Sequence, residues 1–217
     1  MSSSVLALAK AELRAHHHAL RLRAARQRDS WQAANTRLSQ QVARYVHAQH
    51  HGAQPLRIAA YVPLADEPGA EFLLDALAGS ADELWLPICK PGFQLHWALY
   101  EGPDSLTVRN PRLPVSEPIA EGLPSAQCIP NLDLMVVPAL AISRNGFRLG
   151  KGAGFYDRAI TAAHEHVADN AGTTMPELVG VVFADEICNS VPHDEHDRAV
   201  DKIITECGVR SLETAPQ

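Results

Sequence analysis

Between Val136 and Ile160 the chain reads VVPALAISRNGFRLGKGAGFYDRAI, and no other stretch narrows its fold as far. An apolar run ending at Pro138 comes first. A loop follows with Arg148, Lys151 and glycines at every second position, Gly150, Gly152 and Gly154, before an expected helix opens at Phe155-Tyr156-Asp157. A strand, an anion cradle and a helix start, in that order, belong to an α/β sheet with its ligand loop at the carboxyl end of a strand.

Glycine reaches backbone angles closed to other residues and carries no side chain to hold a ligand away. Successive N–H groups can therefore converge on phosphate oxygens. The helix adds unpaired N–H groups and a partial positive charge. Arg148 supplies a planar fork and Lys151 a mobile point charge. Asp157 is the odd member: phosphates would repel its carboxylate unless a cation sat between them, and Mg²⁺ bound through a carboxylate and nucleotide oxygens meets that need. The plain alternative is a glycine-rich turn whose Asp complements the helix dipole. Spaced glycines alone do not separate the two, whereas Arg148, Lys151 and Asp157 together favour the cradle.

With 217 residues, 46% of them hydrophobic, the chain can bury one full core, and a single domain over 1–217 is expected. A net charge of -6 disfavours nucleic acid or an anionic membrane as the main partner. The early basic residues Lys10, Arg14, Arg21, Arg23, Arg26 and Arg28 read for the most part as solvated charges on a helix, and His16, His17 and His18 as exposed helix surface. Cys89, Cys128, Cys188 and Cys207 are far apart and form no C-x-x-C pair, which disfavours a zinc or redox site. No apolar run reaches the length of a membrane span and the first residues make a poor signal peptide, so a soluble, cytoplasmic protein is expected.

Helical spacing of Leu6, Leu13, Leu20 and Ala24 predicts a helix from Val5 to about Arg28; Ser30 can cap a second through about His50, stopped at Gly52. Strands are predicted at 57–63, 84–88, 94–100, 132–137, 178–183 and 202–205, with helices at 71–77 and 155–168. Residues 101–130, rich in proline, read as a long ordered loop. The whole reads as two N-terminal helices followed by an open, largely parallel sheet flanked by helices.

The segment Arg148-Leu149-Gly150-Lys151-Gly152-Ala153-Gly154-Phe155-Tyr156-Asp157-Arg158, preceded by Val137-Pro138-Ala139-Leu140-Ala141, resembles the signature of the 5-formyltetrahydrofolate cyclo-ligase family. Further matches follow in the family's order: Lys10-Ala11-Glu12-Leu13-Arg14, Tyr61 to Glu67, Asn110 to Pro118, and Val191-Pro192 through His196-Asp197 to Val200-Asp201. The resemblance covers about residues 5 to 208. Pro68, Gly69 and Ala70 depart from the family, which usually has an apolar residue, an acid or amide, and Thr after its Glu.

The resemblance implies a fold of the sugar-isomerase and CoA-transferase kind. It also implies ATP-driven conversion of 5-formyltetrahydrofolate to 5,10-methenyltetrahydrofolate. Lys10, Arg14 and the run from Arg148 through Leu149, Gly150, Lys151, Gly152, Ala153, Gly154 and Phe155 to Tyr156 would hold ATP, with Arg148 and Lys151 offsetting phosphoryl charge during transfer. Asp157 and Asp197 would anchor Mg²⁺. Tyr61, Leu64 and Glu67, with the loop from Lys151 to Phe155, would contact the folate. A monomer needing no partner beyond ATP and the folate is expected. Two rivals stay open: a silent nucleotide-binding relative, and a phosphosugar isomerase or CoA transferase on a related fold.

Overall fold

The computed structural model describes residues 3–50, 54–110 and 113–212. Helices α1 (Ser3–Ala25) and α2 (Arg28–His47) precede β1 (Arg57–Ala59), α3 (Leu73–Ala78), β2 (Glu83–Lys90) and β3 (Gln94–Leu99). Next come β4 (Leu106–Asn110), β5 (Leu113–Pro118), β6 (Leu123–Pro124), the single turn α4 (Ser125–Cys128), β7 (Leu134–Pro138), β8 (Ala141–Ser143) and β9 (Arg148–Leu149). The chain continues through α5 (Phe155–Asp169), β10 (Glu177–Val181), β11 (Ile187–Cys188), β12 (Lys202–Thr205) and β13 (Gly208–Arg210). Ser30 does not cap α2: it lies inside the first turn, and no side chain caps that end. Gly52, the expected stop, lies outside the described residues.

The main sheet runs β13-β12-β10-β7-β1-β2-β3-β6. Its central strands β12, β10, β7, β1 and β2 are parallel, and antiparallel β13 and β3 flank them. β7 is buried along nearly its whole length because the sheet is covered on both sides. Its side chains alternate: Leu134 and Val136 join the core of α2 and α3, with Leu38, Val42, Val46, Leu73 and Leu77, while Met135 and Val137 join the core of α5, with Ala159, Ile160 and Ala163. Leu38, Val42 and Val46 recur every fourth residue on α2 and are 0% exposed, each contributing about 1.5–3 kcal/mol by burial.

α1 docks differently. None of its described apolar side chains is fully buried, and its buried residues are His17 and Arg21. Both correct the expectation of a solvated surface. No described helix is long and apolar enough to cross a membrane.

Residues 101–130 are not a plain loop. β4 and β5 pair as a separate antiparallel hairpin, and β6 joins the main sheet beside β3. Prolines masked the alternation; Pro114, Pro118 and Pro124 stand in edge strands, where a missing N–H costs little. A second small sheet, β11-β8-β9, also went unseen because its strands have two or three residues. It holds Arg148 opposite Ile142 and delivers the glycine loop.

Candidate active site

A cleft of about 360 Å³ opens beside the carboxyl ends of β1 and β7. β1 leaves its ladder after Ala59, and the next residues turn Tyr61, Leu64 and Glu67 onto one wall. α1 contributes Lys10 and Arg14, and Arg148 through Asp157 and Asp197 complete the rim. Every residue marked in the sequence thus lines a single cleft. A second depression, about 400 Å³, lies at the opposite ends of the strands, by Asp133 and Glu177, and holds none of them.

The three glycines differ. Gly152 (φ 103°) and Gly154 (φ 69°) adopt left-handed backbone, and Gly154 sits immediately before the first turn of α5. Gly150 needs no unusual angle, and a Cβ there would meet nothing within 4 Å, so its backbone faces open space. Arg14 packs over the loop: a Cβ on Gly152 would lie 3.3 Å from its guanidinium carbon, and its Nε donates to the Gly150 carbonyl at 2.9 Å.

Arg148 is turned inward rather than offered as a free fork. It is 6% exposed, donates to Asp157 Oδ1 at 2.7 Å and to the Arg198 carbonyl, and so clamps the loop to α5 and the C-terminal segment. Asp157 also accepts from the Arg198 N–H at 3.2 Å. Lys10 and Arg14 have separate protein partners. Lys10 Nζ donates to Asp197 at 2.6 Å and Asp194 at 3.2 Å. Burial works to lower the Lys10 pKa, but these hydrogen bonds and charges outweigh it and raise it. Lys151 lies 2.8 Å from Glu67 Oε1, whose other oxygen accepts from the Leu64 N–H at 2.9 Å, drawing the glycine loop towards the wall after β1.

Apolar side chains line the same cleft, among them Val62, Pro87, Leu95, Val115 and Phe155. The Tyr61 hydroxyl donates to the Pro68 carbonyl at 2.5 Å, and the Gly69 N–H donates to Asn35 at 2.7 Å. The unusual Pro68-Gly69-Ala70 turn is therefore pinned from α2. Among the described residues, the Tyr156 hydroxyl is one of three buried side-chain polar atoms without a partner. Burial raises its pKa, so it stays a protonated donor. Cys89 lines the cleft, but burial and Glu117 push its thiol up to about 12, which leaves it a poor nucleophile. Arg21 also lines the cleft and was missed; the recurrence of Lys10, Arg14, His17 and Arg21 every three or four residues marked that helix face.

Two cations over a left-handed glycine turn, a helix N-terminus and two carboxylates, in one cleft with apolar side chains, can hold an anionic tail beside an apolar group. The 5-formyltetrahydrofolate cyclo-ligase family profile matches residues 7–206. A 5-formyltetrahydrofolate cyclo-ligase of Mycolicibacterium smegmatis is 35% identical over 153 residues, 68% of this chain and 72% of that protein. The Escherichia coli enzyme of that name is 27% identical over 68% of this chain and 76% of its own length. Among solved structures, a 5,10-methenyltetrahydrofolate synthetase of Aquifex aeolicus superposes with a TM-score of 0.69 at 25% identity, covering 96% of this chain and 95% of that one. The profile, the relatives and the shared fold agree along most of the length, and the chain belongs to the 5-formyltetrahydrofolate cyclo-ligase family.

Proposed function

We propose that this protein converts 5-formyltetrahydrofolate to 5,10-methenyltetrahydrofolate, consuming ATP and releasing ADP and phosphate. A formyl amide is a poor electrophile with a poor leaving oxygen, and phosphorylation cures both. The formyl oxygen attacks the γ-phosphorus as the bond to the β-bridging oxygen breaks and ADP departs. N10 then adds to the activated carbon, its proton is lost, and the carbon–oxygen bond breaks to release phosphate. Such a transfer depends on alignment and charge stabilisation and needs no protein nucleophile.

In this reading the backbone from Arg148 to Tyr156 cradles the triphosphate and Lys151 offsets its charge. Arg148 acts by shaping the loop, and its buried charge lies against the same end of the cleft. Lys10 and Arg14 bind phosphate once the tail displaces Asp197 from Lys10. Glu67 and Leu64 orient the folate, Tyr61 backs them, and the apolar side chains of the cleft take the pterin. The unpartnered Tyr156 hydroxyl is a donor for the bound ligand.

Asp157 and Asp197 would hold Mg²⁺. Among the described residues no group of three or more His, Cys, Asp or Glu side chains could hold a metal. A pair of carboxylates completed by phosphate oxygens still suits Mg²⁺, which commonly binds through one or two carboxylates and its nucleotide. When bound it would supply positive charge across the phosphate oxygens. Further parts of the reading are a single domain over 1–217, a monomer, a cytoplasmic setting, and a sheet akin to those of sugar isomerases and CoA transferases.

The observation that carries the reading is the convergence of the left-handed Gly152–Gly154 turn and the α1 cations on one cleft that apolar side chains also line. Mixing the protein with MgATP and 5-formyltetrahydrofolate should produce methenyltetrahydrofolate absorbance. Nucleotide binding without turnover would favour a silent relative, and turnover of sugar phosphates alone would favour an isomerase.

A further inference from the structure

α1 is a 23-residue helix whose fully buried side chains are polar. Apolar contacts alone would let such a helix slide or roll, since dispersion has little directionality; hydrogen-bonded forks do not. Arg21, 2% exposed, donates through Nε to Glu186 Oε1 at 2.5 Å and through one terminal nitrogen to Glu186 Oε2 at 2.8 Å and to the Ala139 carbonyl at 2.6 Å. Ala139 directly follows β7. Glu186, 3% exposed, follows β10 and accepts from the Phe183 N–H at 3.0 Å. β7 and β10 are neighbours in the sheet, so one guanidinium fastens α1 to the carboxyl ends of two adjacent strands.

Seven residues earlier on the same helix face, about 10 Å along the axis, stands Arg14, and one turn further stands Lys10. A buried ion pair is weak grounds for stability, because well-packed apolar residues often do as well. What those replacements would lack is geometry.

We propose that Arg21 is a positioning residue for the nucleotide half of the cleft: its fork on Glu186 and Ala139 sets the register in which α1 presents Arg14 and Lys10 to the Gly150–Gly154 loop. The inference rests on the nucleotide reading above and adds a residue to it. Arg21 touches neither substrate in this role and acts through the helix.

The test compares the parent with Arg21→Met/Glu186→Leu, which removes both charges together but takes these partners from the Ala139 carbonyl and the Phe183 N–H, and with Arg21→Lys, which keeps the charge but cannot hold two partners in a fork. Thermal melting, equilibrium binding of MgATP, and steady-state KM for each substrate are measured. The double variant should melt below the parent because two buried backbone groups lose a partner, and the folded protein's KM for ATP should rise about tenfold to hundredfold, as a misplacement of about 1 Å can cause. Arg21→Lys, which keeps a positive charge near Tyr61 and Glu67, should raise the KM for ATP in the same way and leave the KM for 5-formyltetrahydrofolate unmoved. A folded double variant with the parent's KM for ATP overturns the proposal, as does an equal rise for both substrates in Arg21→Lys. Should the double variant fail to fold, Arg21→Lys decides alone: an unchanged KM for ATP overturns it. A parent that binds no MgATP would sink the functional reading itself, and that outcome is read before any variant is made.

Discussion

Lys10 of the first helix and Asp197 of the C-terminal segment, 187 residues apart, form an ion pair of 2.6 Å at the rim of the cleft. A candidate phosphate ligand thus neutralises a candidate metal ligand, and arrival of a metal-bound triphosphate would give each a new partner.

Lys10→Ala should therefore raise the KM for ATP about tenfold, the scale of one charge-assisted contact of 1.5 kcal/mol or so. Folate affinity should stay as in the parent. Steady-state kinetics with each substrate varied in turn checks this, and an unmoved KM for ATP would leave Lys10 as a tether of Asp197 only.

Asp157 has two duties that substitutions can separate. Asp157→Ala strands the buried Arg148 and should cost about 2–4 kcal/mol, seen as a lower Tm. Asp157→Asn keeps an oxygen acceptor for Arg148 and should melt closer to the parent. Its turnover should still fall about a hundredfold or more, because the amide is a weaker Mg²⁺ ligand. Parent-like rates for the Asn variant across a magnesium titration would remove Asp157 from the metal role.

The loop glycines should answer differently to alanine. Gly154, at φ 69°, has a Cβ position 3.1 Å from Arg158 Nη1, and Gly154→Ala should cost about 1–2 kcal/mol. Gly150→Ala meets no neighbour within 4 Å and should melt as the parent does. The added methyl would nonetheless enter the cleft and weaken nucleotide binding. Melting curves and MgATP titration of both variants distinguish a backbone requirement from a ligand requirement, and tight MgATP binding by Gly150→Ala would mean that this backbone does not face the nucleotide.

Burial, aided by the nearby charges of His16 and Arg21, holds the His17 pKa below its ordinary 6.5. The folded state therefore binds this proton less readily than the unfolded chain. The stability contributed by neutral His17 is complete above about pH 6.5 and is lost as pH falls below that value towards the folded pKa. His17→Leu should flatten that slope in denaturant titrations carried downward from about pH 6.5. His164, also lowered first by burial, leaves part of the slope in place. Identical slopes in parent and variant would show that His17 carries no part of it.

Much of the fold could be read from neighbouring residues. The runs that became β7, β10 and β12 are short and apolar, and their alternation survives in the two cores they feed. The β4–β5 hairpin escaped because edge strands tolerate proline, so turn-forming residues sit inside them. The glycine loop and the acid opening α5 were legible as a local pattern, whereas Lys10, Arg14, Tyr61, Leu64, Glu67 and Asp197 were marked through the family resemblance. Arg21 shows in the sequence only as one of a basic helix face, since buried and solvated arginines look alike until the opposing carboxylate is known.

The sequence by itself determined an α/β chain with a glycine-rich loop between a strand and a helix, because glycine spacing, apolar runs and helix starts act over a few residues. Only the tertiary structure decided which charge meets which: Lys10 with Asp197, Arg21 with Glu186, Lys151 with Glu67, and Arg148 turned inward. Those pairings depend on how α1 lies across strand ends far away in the chain, and they fall off so steeply with distance that no local pattern encodes them.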